Sequence, residues 1–124
     1  MNKQLKQDIL TAIANNTVIS TSRLGARSYI VKNQLGIQII SVNSDYDYGA
    51  YSLYVGNNQV FNVDKNGKDR NYPTDAIVRE IDEVCDACAA RIRVQEQLKE
   101  ARLKMSDAER AMSEFLRGVS VNKK

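Results

Sequence analysis

Two cysteines stand close together in Cys85-Asp86-Ala87-Cys88. Thiols at this CxxC spacing can ligate zinc or exchange disulfides. A zinc ribbon needs a second CxxC or a histidine pair, and the chain has no second CxxC and no histidine. A redox CxxC belongs at the N-terminus of a helix, where the helix dipole lowers the thiol pKa. This one falls well inside a helical pattern, on its apolar stripe, where cysteine serves as a small hydrophobe. The absence of histidine also removes the commonest general base, the commonest metal ligand and any Ser–His or Cys–His pair.

Two acidic patterns invite a metal reading and fail on spacing. Asp45-Tyr46-Asp47 is a bare DxD. Asp64-Lys65-Asn66-Gly67-Lys68-Asp69 begins like a calcium loop, but its fifth position is Lys68 and its twelfth is Asp75 rather than Glu. Asn66-Gly67 reads as a turn. The six glycines never cluster into a phosphate-cradling loop. No catalytic residue, metal ligand or cofactor is assigned, and the chain is read as a non-enzyme.

Arginine and tyrosine remain. Arginine forks a phosphate and tyrosine stacks on a base. Arg23 and Arg27 flank the first predicted turn, and Arg91 and Arg110 lie on the long predicted helix. Asp45-Tyr46-Asp47-Tyr48-Gly49 reads as an exposed loop, and loop tyrosines have no core to fill. Arg23, Arg27, Tyr46, Tyr48, Tyr51, Arg91 and Arg110 are the candidate ligand residues. Sheet packing for the tyrosines and helix-edge charge for the arginines explain the same residues without a ligand.

The elements that must position them follow from periodicity. The chain has 124 residues, enough for about one domain. Residues 3–15 place Leu5, Ile9, Ala12 and Ile13 on one helical face, with a stop at Asn15-Asn16, where Asn tolerates the left-handed conformation. From Thr17 to Val63 the segments are short and rich in Val, Ile, Tyr and Thr, with turn residues between them. They predict an antiparallel meander of four or five strands, with its clearest hairpin at Gly56-Asn57-Asn58. Thr74, after Pro73, is placed to cap a helix beginning at Asp75.

That helix is predicted over 75–117, with residues 118–124 as a frayed tail. Its apolar stripe is wide over Ile77, Val78, Ile81, Val84, Cys85, Ala87, Cys88 and Ile92. It then narrows to a 4-3 spacing: Val94, Leu98, Ala101, Met105, Ala108, Met112 and Phe115. A wide stripe suits packing on a sheet, and a narrow one suits a coiled-coil seam. Ser106-Asp107-Ala108-Glu109 matches a capping box and leaves open a break near Met105. The fold class expected is α+β: a short helix, a meander sheet and a long C-terminal helix with a coiled-coil-like dimer seam. It is read as a single domain over 1–124, with helix and sheet in 1–73 and the long helix in 74–117.

Charge bears on partners. The chain carries 18 Lys+Arg and 15 Asp+Glu, a net charge of +3. That modest excess counts against a dedicated nucleic-acid binder. Residues 75–90 hold five acids against Arg79 alone, and 91–124 hold nine basic residues against five acids. Antiparallel helices would set acid against base, which favours an antiparallel homo-oligomer, a dimer or a multiple of dimers. A basic C-terminal half also suits the helix dipole of a monomer. No apolar run approaches the roughly 18–20 residues of a membrane span. With no apolar signal core at its start, the chain is expected in the cytoplasm.

In element order over the whole chain, this layout resembles small phage anti-defence proteins, the anti-Thoeris sponges of cyclic ADP-ribose signals. The resemblance lies in architecture rather than in a motif, so no pocket residue is transferred. It implies a non-catalytic protein, phage or mobile-element in origin, that oligomerises through long helices. It also implies a small anionic nucleotide held between protomers by Arg and aromatic side chains. An inhibitor acting on a host protein by contact, as anti-CRISPR proteins do, is the alternative. A nucleic-acid-binding module using residues 91–124 comes third.

Overall fold

The computed structural model describes residues 1–67 and 71–122, with side chains through residue 116. The elements run α1 (Lys3–Asn15), β1 (Thr17–Ser20), β2 (Ala26–Lys32), β3 (Gln38–Asp45), β4 (Ala50–Val55), β5 (Asn58–Asp64) and α2 (Asp75–Asn122). The chain is α+β, as its periodicity predicts. It falls into two units, Met1–Ile92 and Arg93–Lys124.

The first unit is a five-stranded sheet in the order β1-β2-β3-β4-β5, every neighbouring pair antiparallel. Alternation gives it one apolar face. Val18, Val31 and Ile40 form one cross-strand row, and Tyr29, Val42, Leu53 and Phe61 form the next. The β4–β5 hairpin turns at Gly56-Asn57, where Gly56 has φ 60° and Val55 pairs with Asn58. Positive φ at the first turn residue matches the right-handed strand twist and costs glycine little.

Helices cover the apolar face. Ile9 and Ile13 of α1 join Ile81, Val84, Cys85 and Cys88 of α2 in one core cluster with the sheet. Val31, Val42, Leu53, Ile81, Val84, Cys85 and Cys88 are all at 0 % exposure. Asn2 caps α1 by accepting from the Leu5 N–H at 2.7 Å. Thr74 caps α2 as expected: its Oγ1 accepts from the Ile77 N–H at 3.3 Å.

α1 ends at the expected residue by a different device. Asn16 is extended, with φ −128°, and not left-handed. The Asn15 and Asn16 side-chain amides instead donate to the carbonyls of Thr11 and Ala12, at 2.9 and 2.8 Å. They add side-chain donors to carbonyls near the helix end.

In the second unit α2 continues through Ser106-Asp107-Ala108-Glu109, so the capping-box pattern starts no new helix. The helix also passes residue 117 and reaches Asn122. Lys123 and Lys124, the end of the expected tail, lie outside the described residues.

Leu53→Ala would open a cavity at the centre of the covered sheet face. We expect a loss of about 2–5 kcal/mol, read as a lower urea midpoint with an unchanged slope.

Candidate functional site

The next cross-strand row on the covered face is Arg27, Ser44, Tyr51 and Val63. Here the sheet turns from apolar to polar, and α2 answers with Asp82 and Asp86. These acids sit four residues apart on one helical face. Asp82 Oδ1 accepts from the Ser44 hydroxyl at 3.0 Å and from the Tyr46 hydroxyl at 2.7 Å. The Ser44 side chain is at 0 % exposure, so Asp82 satisfies a donor that water cannot reach. Arg27 Nη2 donates to Asp86 Oδ1 at 2.7 Å. Tyr46 and Tyr51 meet edge to face, with ring centroids 6.0 Å apart.

Electrostatics agree with the contacts. Burial works against the charge on Arg27, but hydrogen bonds with Asp86 and Tyr29 outweigh it and hold the guanidinium pKa above its ordinary value. Burial raises the Tyr46 hydroxyl, and its bond to Asp82 raises it further. Burial raises Tyr51 as well, helped by Tyr46 and the carboxylates of Asp82 and Asp45.

Two turns adjoin this cluster. The Tyr46 N–H donates to the Gly25 carbonyl at 3.2 Å, tying the β3–β4 turn to the β1–β2 turn. The Asp47 carboxylate comes so near Gly25 that an added Cβ there would lie 1.9 Å from Oδ2. Arg23 and Tyr48 are exposed on these turns. Asp45 Oδ1 accepts from the Tyr48 N–H at 3.2 Å and fixes the second turn.

The candidate ligand residues therefore separate. Arg27, Tyr46 and Tyr51 come together, with Arg23 and Tyr48 on the adjoining turns. Tyr51 belongs to β4 and is buried. Arg91 lies at the other end of β1, where its Nε donates to the Asn16 carbonyl at 3.0 Å and braces the α1–β1 junction. Arg110 is exposed in the second unit. The groove beside the cluster is lined by Asp75, Val78, Arg79, Asp82, Glu83 and Asp86. Its four carboxylates against one guanidinium disfavour an anion there.

Comparison with protein-family models, with curated proteins and with solved structures finds no match to this chain. The site is therefore read from its own chemistry. Among the described residues no group of three or more His, Cys, Asp or Glu is placed to hold a metal ion. In the Asp64 loop, Asp64 Oδ1 accepts from the Asn66 N–H at 2.8 Å as a turn, while Lys68 and Asp69 lie outside the described residues. Cys85 and Cys88 are free thiols in the core, each pushed up to about 12 chiefly by burial. They pack, as their place on the stripe predicts. No described helix is long and apolar enough to cross a membrane.

Sequence reading passed over Asp82, Asp86 and Ser44. Their signal was present but weak: acids at i and i+4 on the helix, and a lone serine continuing the Ile40–Val42 side of β3.

Asp82→Ala strands the buried Ser44 hydroxyl and should cost about 1–3 kcal/mol. Asp86→Ala breaks a surface pair and should cost less than about 1 kcal/mol. Urea unfolding of both variants gives the comparison. The cysteine pKa values are higher folded, about 12, than the ordinary 9.0, so the folded state holds these protons more tightly. Their stabilisation is complete below pH 9 and is lost as pH rises towards 12. Stability should fall above pH 9, and less steeply in Cys85→Ala/Cys88→Ala than in the parent chain.

Proposed function

We propose that this protein is a non-enzymatic binding protein that acts through contact with other protein chains, beginning with a second copy of itself. One observation carries this reading. In the second unit α2 exposes Val94, Leu98, Met105, Met112 and Phe115 by 42–67 %, at coiled-coil spacing. A contiguous apolar stripe of this kind on one helix is a feature of interfaces. The alternative expected from sequence, an inhibitor that occludes a host protein, uses the same surface chemistry.

A second reading keeps the small anionic nucleotide that the resemblance to anti-Thoeris sponges implies. Exposed Arg23 and Tyr48 on two tied turns are half of a phosphate-and-base kit. Under this reading a second protomer supplies the rest, and the ligand sits between copies. Arg27 and Arg91 contribute less to it, because each already bonds within its own chain.

Native mass spectrometry on the full chain tests both. A dimer or higher even oligomer is expected, and Leu98→Asp, which sets a charge on the seam in each copy, should return it to the monomer mass. An unchanged oligomer in Leu98→Asp would remove the stripe as the interface. Addition of a panel of linear and cyclic nucleotides separates the two readings. One bound nucleotide per pair of protomers supports the second, and no bound nucleotide leaves contact as the mode of action.

A further inference from the structure

We infer that two copies pair antiparallel through α2 in one register, with Met105 opposite the partner's Ala108. The same register sets Ala101 opposite the partner's Met112 and Leu98 opposite the partner's Phe115. Symmetry repeats each layer. This inference rests on the self-association reading above and adds orientation and register to it.

Orientation follows from side-chain size. In heptad terms Leu98, Met105 and Met112 take position a, and Val94, Ala101, Ala108 and Phe115 take position d. A parallel in-register pair stacks a on a and d on d. It would set Ala101 on Ala101 and Ala108 on Ala108, two thin layers between bulky ones. Thin layers leave voids, and voids lose packing energy. An antiparallel pair sets a against d, so each alanine faces a long methionine side chain able to fill the space. Charge does not choose the orientation, since Lys104 could meet Glu109 of a parallel partner.

Charge chooses the register. In an antiparallel pair the e positions flank one another across one side of the seam and the g positions across the other. Arg102 and Glu109 occupy e, and Lys104 and Ala111 occupy g. The proposed register brings Arg102 to the partner's Glu109 twice and Lys104 to the partner's Ala111. Sliding one helix by a heptad, with Met105 opposite the partner's Ala101, sets Arg102 against Arg102 and Lys104 against Lys104. Like charges at such positions oppose that register. The acids Asp75, Asp82, Glu83 and Asp86 lie N-terminal to all six layers. The local pair of Arg102 and Glu109, rather than the bulk division into acidic and basic halves, sets the alignment.

Cysteine cross-linking tests both points on the full chain. Cys85 and Cys88 are at 0 % exposure, and the parent chain serves as control. Met105→Cys, Ala108→Cys and Ala101→Cys are made singly. They are mixed in pairs and treated with oxidised glutathione, which takes up the two electrons released as two thiols become a disulfide. A disulfide dimer is expected from Met105→Cys mixed with Ala108→Cys, and from neither alone. Cross-linking of Met105→Cys by itself overturns the orientation. Cross-linking of Met105→Cys with Ala101→Cys in place of Ala108→Cys overturns the register. In a second assay Arg102→Glu should weaken the dimer by about tenfold, the effect of roughly 1.4 kcal/mol. Arg102→Glu/Glu109→Arg should restore it. A parent chain that stays monomeric in native mass spectrometry removes the self-association reading itself. A dimer with the wrong cross-link removes only this inference.

Discussion

The contact between one face of the sheet and the first half of α2 is the constraint on which the Met1–Ile92 unit depends. Val31, Val42 and Leu53 meet Ile81, Val84, Cys85 and Cys88 in a layer that water does not enter. A five-stranded meander made only of neighbouring hairpins has no helix crossing over it from within. Its apolar face must be covered from the two ends of the chain. α1 supplies Ile9 and Ile13, and α2 supplies the rest. Each fully buried aliphatic side chain contributes about 1.5–3 kcal/mol. The small thiols of Cys85 and Cys88 suit a helix lying close on strands, and burial keeps them protonated.

The polar row at the end of this face is best understood as the edge of that same contact. Ser44 is buried and needs a partner, which Asp82 provides, and Asp86 holds the half-buried Arg27 beside it. Such a satisfied network fixes which rotation and height of α2 the sheet accepts. It also absorbs groups that looked available for a ligand. A guanidinium already held by a carboxylate must be released before it can clamp a phosphate, and the acids that hold it repel the incoming charge. Arg91 is engaged in the same way by a backbone carbonyl. The exposed turn residues Arg23 and Tyr48 keep the freedom that the residue types imply.

Local signals were legible in the sequence and long-range ones were not. The meander, the Gly56-Asn57 turn, the Thr74 cap and the change of stripe along α2 all rest on neighbours within a few residues. The end of α1 was legible as a place but not as a mechanism. Whether Asn16 turns left-handed or uses its side chain depends on the strand it must enter. Residue type alone makes Tyr51 a ligand candidate, and its burial follows from the Ser44–Tyr51 register. The bonds from Arg27 to Asp86 and from Ser44 to Asp82 span 59 and 38 positions, beyond any spacing rule.

The second half of α2 poses a different physical problem. Its composition favours helix, with Ala, Leu, Glu, Lys and Arg throughout, and Glu100 stands four residues before Lys104. None of that requires Leu98, Met105, Met112 or Phe115. Glutamate or lysine at those positions would form helix as well and would not expose apolar surface. Helical propensity therefore explains why the segment is a helix and leaves the stripe unexplained. The spacing also changes where the stripe changes. Ile81, Val84, Cys85, Cys88 and Ile92 follow the broad pattern of a helix resting on strands. From Val94 the 4-3 repeat has a period of 3.5, which stays in register only against another helix that coils with it. On the reading proposed above, the change of period at Val94 is a change of partner, from the chain's own sheet to the same segment of a second copy.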